Sequence, residues 1–191
     1  MVLICNCAAE AAAAWRKLQI MKSRPAIADQ RPPFAIEPGP AQESVWDYPR
    51  PPAIRWDARP IEVRDGGALI AATAGSYKVM ETASPPTFYL PRAGVNFDLL
   101  VPVADQTYCE WKGSASYFAL ARQPTVPVAW SYERPRPRFD VVSGHIAFYP
   151  GRVECLLGGE PVRAQAGRFY GGWITSEVVG PFKGEPGTGH W

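Results

Sequence analysis

The chain has 191 residues, 47% hydrophobic and 20% charged, which are globular values in a chain long enough to bury a substantial core. A formal net charge of +2 with scattered basic residues argues against a nucleic-acid partner, and no run of about 18 apolar residues offers a membrane-spanning helix. The 21 prolines and 17 glycines favour turns, short strands and extended tails over long helices.

Residues 8–20 are alanine-rich with high helix propensity, and Pro25 stops any helix there. A secretory signal carries its positive charge ahead of the apolar run. Here Arg16 and Lys17 follow that run and Glu10 interrupts it, so no signal is read. Met21 makes an ordinary beginning, and residues 1–20 are expected to be dispensable. Nine prolines fall between 25 and 60, an extended polyproline-like arm. Trp46, Tyr48 and Trp56 are costly to leave in water, so the arm is expected to lie pinned by them along the domain or a partner chain.

The β pattern begins near Arg55. Ile61–Arg64 alternates, Asp65-Gly-Gly67 is a turn signal and 68–73 continues apolar, which predicts a hairpin. Residues 76–82 read as a short amphipathic piece ended by Pro85-Pro86. Strands are predicted at 87–90, 97–101, 117–121, 126–130, 145–149 and 153–157. The chain is therefore predicted to be all-β, a small antiparallel domain of barrel or sandwich type, with no helix longer than about three turns. Residues 1–43 read as an N-terminal extension and proline-rich arm, 44–157 as a single β domain and 158–191 as a glycine- and aromatic-containing tail.

The four cysteines, Cys5, Cys7, Cys109 and Cys155, form no Cys-x-x-Cys, and the only histidines are His145 and His190. Free thiols in a reducing cytosol are expected, with no metal and no cofactor. No Gly-x-x-x-x-Gly-Lys-Ser/Thr loop, Gly-x-Ser-x-Gly elbow, His-Glu-x-x-His or Asp/Glu-x-Asp/Glu pair occurs.

Between two predicted strands, Thr107–Phe118 gathers a thiol, an ammonium group and two aromatic rings beside a glycine. Cys109 would serve as a nucleophile if a cation such as Lys112 lowered its pKa. Lys112 would bind an anion or act as a base or Schiff-base amine. Glu81 would be an acid/base partner, or else a carboxylate satisfied by backbone amides or an arginine such as Arg92. Trp130 and Tyr132 lie two apart and share a sheet face; Trp111 and Tyr117 also lie an even number apart, with Gly113 allowing close backbone approach. These residues predict a cleft lined by Trp111, Tyr117, Trp130 and Tyr132, with Lys112 and Glu81 at its polar end. His145 is the one domain histidine available as a base.

The ordered motifs Ser44–Pro49, the hairpin 61–74, Glu81 before Pro85-Pro86, Tyr89–Pro91, Asp98–Leu100, Cys109–Gly113 with Ala115 and Tyr117, Ala129–Tyr132 and Ile146–Tyr149 resemble the family of domain of unknown function 427. The resemblance covers roughly residues 44–157, and Gly171–Thr175 and Gly180–Gly184 look like the tail of its bacterial members. It implies a small β domain of the β-tent type, two antiparallel sheets meeting at an angle, whose relatives hold small ligands in such a cleft. Glu110 departs from the proline that many members carry there. Some catalogues label the family nucleotidyltransferase-like, but that chemistry needs paired acids to clamp two metal ions, which this sequence lacks. Three functions stay open: small-molecule binding in the aromatic cleft, catalysis by Lys112, Glu81 or Cys109, and protein interaction through the arm and tail.

Overall fold

In the computed structural model, which describes residues 31–167 and 169–191, the predicted alternation resolves into strands joined by tight turns and 3-10 segments. In chain order they are β1 (Glu43–Ser44), β2 (Ala53–Asp57), β3 (Ile61–Asp65), β4 (Ala68–Thr73), β5 (Ser76–Met80), β6 (Thr87–Tyr89), β7 (Leu100–Cys109) and β8 (Gly113–Leu120). There follow β9 (Gln123–Ser131), β10 (Ile146–Phe148), β11 (Glu154–Leu157), β12 (Glu160–Pro161), β13 (Arg163–Ala164), β14 (Trp173–Ile174) and β15 (Val178–Val179). The helix expected over 8–20, with Cys5 and Cys7, lies outside the described residues.

Three sheets build the body, in the orders β10-β9-β8-β7, β12-β11-β3-β4 and β2-β5-β6, all antiparallel. The longest helical segment described is the six-residue 3-10 stretch Pro137–Val142. The barrel alternative fails, because β7 and β10 end their sheet as separate edges.

Two details differ from the sequence reading. Residues 76–80 form the central strand β5 of a sheet, since Lys78 faces inward and disguises the alternation. The strand expected at 97–101 opens instead as a 3-10 turn, Phe97–Leu99, whose first N–H groups are capped by the Asn96 carbonyl, and β7 starts at Leu100.

Alternation sorts the side chains of β8, β9 and β10 onto two faces. Phe118, Leu120, Ile146 and Phe148 join Ile61, Val63, Ile70, Cys155 and Leu157 in the larger core. Ala115, Tyr117, Trp130, Ala147 and Tyr149 join Val79, Tyr89, Tyr132 and Phe139 in a second, aromatic core on the opposite face. That second core is where the cleft opens. Trp173, from the segment read as tail, is fully buried in the larger core.

The arm lies along the domain as expected at two of its three rings. β1 pairs in parallel with β15, Tyr48 is buried, and Trp46 packs edge-on against Phe34 and Trp191 at 5.1 and 5.0 Å. Trp56 is the exception: it stands 55% exposed at the edge strand β2. Glu43 ties the arm to β5, accepting hydrogen bonds from Lys78, Tyr48 and Arg55, each at 2.7 Å. Burial pushes its carboxyl up, and those three donors outweigh burial, holding its pKa at about 2 against an ordinary 4.5. A depressed carboxylate stabilises the fold above its unfolded pKa, and that stability is lost as pH falls toward the folded value. Urea denaturation should therefore show a loss developing between pH 4.5 and about 2. Glu43→Gln should flatten that slope while lowering stability at neutral pH.

Candidate functional site

The turn Glu110–Lys112 joins β7 to β8, with Cys109 paired opposite Gly113. Gly113 has φ +95°, a left-handed value that glycine adopts without the steric penalty of a Cβ, so the turn depends on it. Gly113 itself does not line the cleft.

Beside this turn lies a cleft of about 320 Å³, walled by Trp111, Tyr117, Trp130 and Tyr132, with Cys109, Lys112 and Glu81 at its edge. All four predicted aromatic residues and all three predicted chemical groups thus come together. A smaller hollow of about 130 Å³ adjoins it and shares Glu81, Thr87, Lys112 and Lys183.

Lys112 is only 8% exposed. Its Nζ lies 5.7 Å from the centre of the Tyr132 ring and 5.6 Å from that of Phe139, within reach of the rings' negative faces. Its backbone carbonyl accepts from Arg136 N–H at 3.2 Å, which brings the 3-10 stretch bearing Phe139 against the turn. Among the described residues no carboxylate lies within ion-pair distance of this ammonium.

Glu81 accepts a hydrogen bond from Trp111 Nε1 at 3.2 Å and lies 3.8 Å from Arg50 Nε. The arginine near it is Arg50, not Arg92. Arg92 pairs with Glu133 at 3.2 Å and sits over Phe97.

The rings form a connected set. Trp130 Nε1 donates to Tyr89 Oη at 3.3 Å, Trp130 packs on Tyr149 at 4.4 Å, and the Tyr117 and Thr107 hydroxyls are 2.6 Å apart. Burial, above all other causes, pushes the phenols of Tyr89, Tyr132 and Tyr149 up. They stay neutral at physiological pH and present O–H donors to the cleft. Cys109, half-buried, lies against the Tyr132 hydroxyl. Cys155 is buried in the larger core, and burial pushes its thiol up, as for an inert core cysteine.

His145 takes no part. Its Nδ1 is 3.1 Å from Ser143 O, its ring packs on Tyr77 at 5.3 Å, and it does not line the cleft. What the sequence reading missed comes from the chain on either side. Tyr89 sits in the noted Tyr89–Pro91 motif, and Tyr170, Gly171 and Lys183 belong to the tail. The signal for the last three was the glycine clustering at 171–172 and 180–184. A Cβ at Gly171 would lie 2.3 Å from the Trp130 ring, so only glycine lets the tail pass over that indole.

Among the described residues no group of three His, Cys, Asp or Glu side chains is placed to hold a metal ion, and no helix is long and apolar enough to cross a membrane. No curated protein matches the sequence. Residues 53–159, more than half of the chain and the span holding β2 to β11, match the model of the family described as domain of unknown function (DUF427), and the protein belongs to that family.

Proposed function

We propose that the cleft binds a small organic anion with a flat apolar body, its charge at Lys112 and its body between the Trp111 and Trp130 rings. The observation that carries this reading is the lysine. An ammonium this deeply buried has lost much of its hydration, and no carboxylate among the described residues replaces it. A ligand carboxylate or phosphate would supply the missing partner, and the neutral phenols would orient it. The half-buried Cys109 thiol fits a reducing, cytosolic setting. A net charge of +2 with no dense basic block fits a small anion better than a polyanion.

Trp111 and Trp130 report binding directly through their fluorescence. Titration with benzoate, phenyl phosphate and indole-3-acetate, against benzyl alcohol and benzamide, should show a preference for the anions. Lys112→Met keeps the apolar stem and removes the charge, and it should weaken anion binding by about tenfold or more. Lys112→Met binding the anions as well as wild type does would make Lys112 a structural residue and end this reading.

Catalysis is the second reading, favoured by Cys109, Lys112 and Glu81 lining one cleft. It differs in one outcome. A bound anion would be converted by wild type and left unchanged by Cys109→Ser or Glu81→Gln.

A further inference from the structure

A second cavity, about 380 Å³, opens away from the cleft along the edge strand β2 and shares no lining residue with it. Its one aromatic wall is Trp56, which is 55% exposed. The ring does not swing freely. Tyr77 meets it edge-on at 5.1 Å, and a Cβ on Gly75 would lie 2.3 Å from its six-membered ring, so the indole is seated directly on glycine backbone. A large ring held fixed yet left in water is the arrangement expected of a binding platform, because its ordering is settled before a ligand arrives.

The rest of the cavity is charged and internally matched. Arg59 grips Asp57 through two hydrogen bonds and reaches Glu177 at 2.5 Å; Lys78 and Arg55 both meet Glu43 at 2.7 Å. Three cations thus face three carboxylates, and an ionic ligand would have to break one of these pairs to enter. A neutral ligand would not. Lys78 spends one of its donors on Glu43, and the bonds described for Arg55 all use Nη2. Fixed donors therefore stand beside fixed carboxylate acceptors, a pattern that vicinal hydroxyl groups match because each can both donate and accept.

We infer that this cavity binds a neutral sugar, with the apolar face of a pyranose ring on the Trp56 indole and its hydroxyls on the Arg55, Lys78 and Arg59 charge pairs. The volume falls within the roughly 300–1,000 Å³ of small-ligand pockets. The site is independent of the anion cleft, and either reading can fail alone.

Methyl β-D-glucopyranoside, maltotriose and chitotriose, added to the full-length ¹⁵N-labelled protein, should move the Trp56 indole N–H resonance with at least one of them, saturably in the millimolar range. Trp56→Ala should weaken that binding by about tenfold or more, Trp56→Phe by less, and Lys112→Met not at all. Trp56 is largely exposed, so these variants should keep the wild-type fold. No saturable shift with any of the three sugars would overturn the inference. So would a shift that follows protein concentration instead of sugar, which would make the indole a contact between copies. Glucose 6-phosphate binding where the neutral sugars do not would also overturn it, since the cavity would then favour anions.

Discussion

Trp173→Ala should destabilise the protein by about 4 kcal/mol, a large share of the roughly 5–15 kcal/mol that holds a typical domain together. Trp173 is fully buried, its ring packs on Phe88 at 5.1 Å, and its Nε1 donates to Phe148 O at 3.0 Å. Removing it opens a cavity in the larger core and leaves a buried carbonyl of β10 without its donor. Urea denaturation followed by far-ultraviolet circular dichroism would measure the loss. Trp173→Phe should recover most of the packing and lose mainly the hydrogen bond, about 1–2 kcal/mol. A loss below about 1 kcal/mol for the alanine variant would mean that β14 docks only loosely. Deleting residues 158–191 should have a still larger effect, because it strips this indole and the partner of β1 together.

Gly171→Ala should act on stability and on the cleft at once. The added methyl would lie 2.3 and 2.7 Å from two Trp130 ring atoms and 3.2 Å from Tyr149. Trp130 has little room to retreat, since it packs on Tyr149 and bonds to the Tyr89 hydroxyl. Overpacking of this kind costs about 1–3 kcal/mol, and relief by lifting the tail would change the shape of the anion cleft. A melting temperature several degrees lower and a loss of anion binding should therefore appear together. Gly189→Ala, where a Cβ meets nothing within 4 Å, is the control and should change neither. If Gly171→Ala kept wild-type stability and binding, the contact between the tail and Trp130 would be dispensable.

The elements most legible in the sequence were those whose chemistry is local. The Asp65-Gly-Gly67 turn fixed the β3–β4 hairpin, and the two-residue spacing of Trp130 and Tyr132 set both on the cleft face. Glycine at 113 marked the turn that carries Lys112. What stayed hidden depends on partners distant in the chain. Lys78 obscured β5 because its counter-ion, Glu43, lies on the arm. Strands of two residues, such as β14, have no period to read, so Trp173 looked like part of a tail. Tyr170 and Lys183 reach the cleft only through tertiary folding. Trp56 resembled its neighbours in the arm, and only the fold separates the exposed ring from the buried ones.

The parallel pairing of Glu43 with Val178 and Ser44 with Val179 also sets the order in which the protein can be built. At a synthesis rate of about 5–20 residues per second, on the order of ten seconds pass between the emergence of β1 and that of its partner. During that interval Val45, Tyr48 and Met80 have no Val178 to pack against, and the larger core waits for Trp173. Contacts so distant in sequence also slow the closing steps of folding. The nascent chain therefore carries an open apolar seam until nearly all of the sheet-forming sequence has been made, a natural point of engagement for a chaperone.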